Sequence, residues 1–171
     1  DQNGSATITI EAEDRSTPTP LTVTDTLTIN VSDTNDTPTV VGSLGPIVVD
    51  EDAAATNDDF SGLFEDPDIA TNGDSLTYTI EGALPSFIDT ADASSGSLVL
   101  TLLLDQNGTG TLTIRATDTG SLWAEYDVTV TVNAVDDPPF VVTAMGAISG
   151  AEDGPDLVVD LLTIFDDVDI V

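Results

Sequence analysis

The residues able to do chemistry in this chain are its carboxylates. Asp and Glu together number 32 against 2 Lys plus Arg, a formal net charge of -30, and the chain has neither His nor Cys. Without thiolate or imidazole there is no disulfide, no soft metal site and no Ser-His-Asp arrangement. What remains is hard-oxygen chemistry: acid-base work by a carboxylate pair, or ligation of a hard cation. A glycosidase built on Asp66 and Asp68 would also need a cleft with aromatic walls, and one Trp with two Tyr cannot supply it. The sequence is therefore read as non-catalytic.

The positions of the acids say more than their number. They gather as Asp33 and Asp36, Glu51 and Asp52, Asp66 and Asp68, Asp105, Asp118, Asp136 and Asp137, and Asp167 and Asp169, while the intervening alternating segments carry Thr. Two carboxylates about 4 Å apart repel by roughly 4 kcal/mol at an effective dielectric near 20. Lys is absent, so a counter-ion for such a cluster must come from outside. Ca2+ takes six to eight oxygens in flexible geometry and suits the set better than Mg2+, which is stricter and keeps more water. A merely salt-adapted surface would scatter its acids, whereas here Asp outnumbers Glu and recurs at fixed places. The same charge repels the nucleic acid backbone and anionic lipid. No run resembles a signal peptide or a membrane span, so membrane insertion of this segment is not expected.

The elements that must position these acids come in repeats. Asn35-Asp36-Thr37-Pro38 recurs as Asp136-Asp137-Pro138-Pro139, Glu51-Asp52 as Glu152-Asp153, and Leu63 to Ile69 as Ile164 to Ile170, all at an offset of 101. Asp1-Gln2-Asn3-Gly4 recurs as Asp105-Gln106-Asn107-Gly108 at an offset of 104. The chain thus divides into the last third of one repeat (1–38), a whole repeat (39–138) and the first third of another (139–171). The two end pieces are too short to close a core alone.

Inside the whole repeat the hydrophobic period is two. Leu76, Tyr78 and Ile80 alternate with Thr, as do Leu112, Ile114 and Ala116, and Tyr126, Val128, Val130 and Val132 alternate with polar residues. Adding Pro46 to Val49, Phe60 to Phe64, a piece near Phe87 and Ile88, and Gly96 to Leu104 predicts about seven strands, separated by turns such as Asn72-Gly73-Asp74. The expected fold is all-β, a seven-stranded antiparallel immunoglobulin-like sandwich in tandem. Connections in a sandwich collect at its two poles, so end-to-end repeats bring carboxylates together at each junction. Trp123 falls in outward parity with Glu125 and Asp127, which suits either a contact with a sugar or another subunit or simple cover of an edge.

Asp33-Thr34-Asn35-Asp36-Thr37-Pro38 resembles the linker of the cadherin superfamily, shortened by one residue before the proline, and Asp66-Pro67-Asp68 resembles its Asp-x-Asp pair. Leu84-Pro85-Ser86-Phe87 and Ala116-Thr117-Asp118-Thr119-Gly120 are similar to bacterial cadherin-like repeats of giant surface proteins. The resemblance implies Greek-key cadherin-like sandwiches and two calcium junctions. The first would use Asp33, Asn35 and Asp36 with Asp66, Asp68 and Asp118, joined by Asp1 and Asn3. The second would use Glu51, Asp105, Asp136 and Asp137 with Asp167 and Asp169. Ala134 replaces the leading Asp33 of the first linker, and Asp105-Gln106-Asn107 lacks the family's third acidic position, which implies fewer or weaker ions at the second junction.

The function expected is a non-catalytic, calcium-binding spacer or adhesion module of a large secreted or surface-attached bacterial protein, with calcium rigidifying the junctions between repeats. Its partners would be adjacent repeats or neighbouring copies, with a polysaccharide or a cell surface as the outside partner. A self-assembling filament or sheath subunit and a carbohydrate-binding module using Trp123 remain open beside it.

Overall fold

The computed structural model describes residues 3–169. Two long strands, β1 (Gly4–Glu13) and β2 (Thr22–Val31), form an antiparallel hairpin. The middle of the chain then holds β3 (Thr39–Val40), β4 (Ile47–Asp50), β5 (Thr56–Asp59), β6 (Phe64–Glu65), a short helix α1 (Pro67–Asn72), β7 (Thr77–Glu81), β8 (Ile88–Asp92), β9 (Ser97–Leu102), β10 (Gly108–Thr117) and β11 (Trp123–Asn133). Beyond it lie β12 (Phe140–Val141) and β13 (Phe165–Asp166), which pair antiparallel.

Two sheets make the middle unit, one ordered β4-β11-β10-β7 and the other β5-β9-β8, with β3 and β6 paired separately. Their inner faces meet in one apolar core of Leu98 and Leu100 from β9, Leu112 and Ile114 from β10, and Val128 and Val130 from β11. Phe60, Phe64 and Phe87 close its ends. Alternation in sequence becomes alternation of burial because successive strand side chains point to opposite faces. Thr111, Thr113, Asp127 and Thr129 accordingly face away from the core residues beside them.

Two expectations change. The region predicted to give seven strands contains nine strand segments, because two strand courses are broken, between β3 and β4 and between β5 and β6. The pairing is not wholly antiparallel either, since β4 runs parallel to β11. The chain reaches that sheet by crossing over from β3 rather than by a hairpin. Gly42 permits the crossing, because a Cβ there would lie 2.6 Å from the Gly62 carbonyl oxygen. Tyr126 fixes it, its hydroxyl accepting from the Leu44 N–H at 3.2 Å and donating to the Leu44 carbonyl at 2.9 Å.

The hairpin β1–β2 repeats the geometry of β10–β11. Gly4 faces Val31, Ile8 faces Leu27 and Ala12 faces Val23; at the repeat offsets, Gly108 faces Val132, Leu112 faces Val128 and Ala116 faces Ala124. The apolar residues of β10–β11 are covered by the second sheet, whereas Ile8 is 47% and Leu27 51% exposed. Burial separates the two hairpins although pattern and register do not. Replacing Leu112 with Ala should therefore cost about 2–5 kcal/mol, while Ile8→Ala should stay within about 0.5 kcal/mol, both read as shifts in the urea unfolding midpoint of this chain.

Candidate metal centres

At the pole of the middle unit nearest the first linker, a short local fold gathers three carboxylates. Asp66 caps α1, accepting the Asp68 N–H at 2.8 Å, and Pro67 starts the helix where no N–H is needed. One turn on, Asn72 Nδ2 donates to Asp68 Oδ1 at 3.1 Å. Gly73 ends the helix in the left-handed region, φ 74°, with its N–H on the Asp68 carbonyl; this return delivers Asp74. Oxygens of Asp66, Asp68 and Asp74 lie within 4.8 Å of one another. Asp66 is 6% and Asp68 2% exposed.

The linker and the β10–β11 loop close around this group. Asp36 donates its N–H to Asp68 Oδ2 at 2.7 Å. Asn35 Nδ2 donates to Asp118 Oδ2 at 2.9 Å, while Asp118 Oδ1 takes the Leu122 N–H. Gly120 leaves room for Asn35, whose side-chain atoms would stand 2.5–2.8 Å from any Cβ there. Asp33 bonds to Asn3 and Asn72. A polar cavity of about 230 Å³ opens between linker and unit, lined by Asp33, Asn35, Asp68, Asn72, Gly73, Asp74 and Thr119.

The opposite pole holds two further groups that share Asp137: Glu51 with Asp137 and Asp169, and Asp52 with Asp105 and Asp137, each set within 4.8 Å. Glu51 is buried and anchored by the Val135 N–H at 2.8 Å and Asn107 Nδ2 at 3.3 Å. Asp52 and Asp105 both adopt left-handed backbone, φ 62° and 55°, a conformation Asp tolerates better than most residues. Asp169 comes from the segment that follows, and it reaches the linker as Asp68 does: the Asp137 N–H donates to Asp169 Oδ2 at 2.6 Å. Asp169 in turn donates its N–H to Asp167 Oδ1 at 3.0 Å, as Asp68 does to Asp66. The pairs Thr39–Glu65 and Phe140–Asp166 also match at the repeat offset. Residues 139–169 therefore rebuild the linker-to-unit geometry of the first junction.

The two poles thus collect most of the residues singled out in the sequence, but in different ways. Asp66, Asp68, Glu51, Asp105, Asp137 and Asp169 have oxygens in a triad. Asp118 and Asn35 border one. Asp36 contributes through its backbone N–H, Asp167 through a cap, and Asp136 is exposed and belongs to no triad. Asp1 lies outside the described residues. Asp74 was legible only as part of a turn, Asn72-Gly73-Asp74, and Asp52 only as one more polar acid beside Glu51. Among the described residues the second junction holds two acidic triads and the first holds one; the positions equivalent to Glu51 and Asp52 at the first junction are not in this sequence.

Trp123 opens β11 beside the loop that carries Asp118 but belongs to neither acidic group. It is 50% exposed, as its parity predicted, but one face of its ring is taken by the Arg115 guanidinium, 4.7 Å from the ring centroid. Arg115 is held there by Glu81 at 3.2 Å and Glu125 at 2.7 Å.

No protein-family model matches the chain, and no curated protein matches it. Solved structures do. Mouse cadherin-23 EC22-24 superposes with TM-score 0.52 at 26% identity, over 77% of this chain and 43% of that one. The protocadherin gammaB7 EC3-6 cis-dimer gives 0.50 and 26%, over 82% and 36%. PcdhgB3 EC1-4 gives 0.53 at 16% identity, over 81% and 34%, a likeness of fold alone. The fold is cadherin-like. This cadherin-like chain spans less than half the length of each of those structures. No helix among its described residues is long and apolar enough to cross a membrane.

The cadherin-like poles fit a hard cation. Asp66, Asp74 and Asp137 each keep an Oδ2 atom that is buried and has no hydrogen-bond partner, a state that costs free energy unless something unseen by the protein satisfies it. Burial, followed by the charges of Asp68, Asp74 and Asp118, pushes the Asp66 carboxyl above the ordinary 3.8 despite the bond from Asp68. Burial and the charges of Asp52, Asp105, Asp169 and Glu51 push Asp137 the same way. Bonds from Thr119 and Ser75 instead hold Asp74 below it. A carboxyl raised on folding stabilises the protonated native state, and that advantage disappears as pH rises through its folded value. In chelator the melting temperature should therefore fall as pH increases from about 4 toward neutrality, measured by circular dichroism. The acids held low, Asp14, Asp59, Asp74 and Asp92, lose their contribution only as pH falls below 3.8.

Proposed function

We infer that this chain is a non-catalytic, calcium-dependent tandem-repeat module of an extracellular adhesion or surface protein, whose work is to hold successive repeats at fixed orientation. The observation that carries this reading is the set of buried, partnerless carboxylate oxygens inside triads at both poles. Every donor in those triads is oxygen, which favours calcium over softer metals. Several anionic ligands with room for backbone and water oxygens also suit calcium better than magnesium.

The chain's own residues do the positioning. α1 and Gly73 aim Asp66, Asp68 and Asp74 into one space; Glu51, Asp52 and Asp105 are held from the opposite pole; Asp137 and Asp169 carry that second group across the linker into the following repeat. Calcium, when bound, supplies the positive charge that cancels the mutual repulsion of these groups. Without it they push linker and repeat apart.

Residues 1–38, 39–138 and 139–171 are on this reading parts of three consecutive repeats. The apolar faces of β1–β2 match, in pattern and register, faces that the middle unit buries under its own second sheet, which supports reading the hairpin as the same part of another repeat. Trp123 keeps one ring face for stacking while Arg115 holds the other; adhesion through repeats rests instead on the acidic groups at both poles.

A melt in calcium, magnesium and chelator tests the proposal. Calcium should raise the melting temperature well above the chelator value and magnesium should do so much less. Asp66→Ala and Asp68→Ala variants should lose most of the calcium gain. A melting temperature indifferent to all three conditions overturns the reading in favour of a merely acidic surface.

A further inference from the structure

We propose that the outer face of the β10–β11 ribbon is a binding site for a neutral glycan, in which Trp123 stacks on a pyranose ring and the groups that brace it receive the sugar's hydroxyls. This site is separate from the acidic groups at the poles, none of which includes Trp123, Arg115, Glu81 or Glu125.

The two hairpins of the chain show that this face is an addition to the fold. At the repeat offsets, the places of Arg115, Trp123 and Glu125 are held by Glu11, Thr22 and Thr24. The pairs Glu11–Thr24 and Glu13–Thr22 keep the register of Arg115–Glu125 and Thr117–Trp123. Strand pairing here thus requires neither an aromatic ring nor a cation. Yet both ion pairs found among the described residues belong to Arg115, and Arg115 lies over the Trp123 ring.

The ring is held as a platform. The guanidinium covers one face and Trp123 is still 50% exposed, so the open area belongs to the opposite face and the ring edge. Nε and Nη2 of Arg115 both donate to Glu125 Oε1, at 3.0 and 2.7 Å, and Nη1 lies 3.2 Å from Glu81 Oε2. A ring braced in this way loses little freedom when something stacks on it. The same bonds leave the second oxygen of Glu125 for a hydroxyl donor, and a carboxylate is a strong acceptor. An aromatic face bordered by fixed polar groups complements a pyranose, which is apolar on its C–H face and carries hydroxyls on its edge.

Charge selects among the occupants. Glu81, Glu125 and Asp127 set three negative charges on this face against one positive. Sulfated, phosphorylated and uronate-rich glycans are repelled, and so is the same face of a second copy. A single Trp amid Thr and carboxylates also lacks the apolar centre of a protein interface. A neutral glycan meets neither objection.

Trp123 is the one Trp of the chain, so tryptophan fluorescence reports this site alone. Native gels of the full chain in calcium, cast with hydroxyethylcellulose, galactomannan, xyloglucan, dextran or chondroitin sulfate, test the inference alongside fluorescence titrations with the same polymers. At least one neutral polymer should retard the chain and shift its emission, and chondroitin sulfate should do neither. Trp123→Ala should weaken that retardation at least ~10-fold while its melting temperature stays within about 4 °C of the unmodified chain. Arg115→Gln, which unbraces the ring, should weaken it about 3-fold. Retardation by no neutral polymer, or equal retardation of Trp123→Ala, overturns the inference. Retardation by chondroitin sulfate alone overturns it too, as does a dimer in light scattering that Trp123→Ala abolishes, which would give this face to a second copy.

Discussion

Like charges forced together govern this molecule. The sandwich core is ordinary: Leu, Ile and Val from two sheets, packed between Phe side chains. Its poles are where folding works against electrostatics, bringing Asp66, Asp68 and Asp74 together at one end and Glu51, Asp52, Asp105 and Asp137 at the other. In bulk water these groups would avoid one another. Caps, a short helix and left-handed residues bring them together, and apolar burial elsewhere in the unit offsets the cost. A protein that maintains such an arrangement at both ends is organised around what happens at its ends.

The strands and their repeat were legible because they depend on period and offset alone. Leu112, Ile114 and Ala116 alternate with Thr, and the backbone turns that alternation into one buried face. Trp123 was placed outward by the same parity. The ligands were legible in proportion to how local their chemistry is. Asp66 and Asp68 sit on one cap and one helix turn, so spacing found them. Asp74 joins them only because Gly73 turns the chain back, and Asp52 reaches Asp105 only through left-handed backbone at both positions. Those are conformational facts that residue types suggest but do not fix. The parallel pairing of β4 depends on a crossing pinned by Tyr126 from 82 residues away, beyond the reach of any local pattern.

The two ends of the middle unit are complementary halves of one arrangement. Where the chain supplies the half built on α1, it shows how a repeat receives a linker; where it supplies the half built on Glu51 and Asp105, it shows how a repeat presents one. Matching hydrogen bonds at Asp36–Asp68 and Asp137–Asp169 show both linkers docking alike despite different side chains on either side. A cadherin-like fold accommodates this because a sandwich leaves its loops at opposite poles, free to specialise while the sheets remain constant.

One detail of that docking has a mechanical meaning. The donor in each of these two bonds is a peptide N–H, a group that every residue but proline carries and that no substitution of charge can remove. Linker and following unit are thus fastened at a point whose donor is independent of the linker side chain, while its acceptor is a carboxylate of the neighbouring acidic group. On the calcium reading, loss of the cation would load this same fastening, because Asp68 and Asp169 belong to the groups that would then repel.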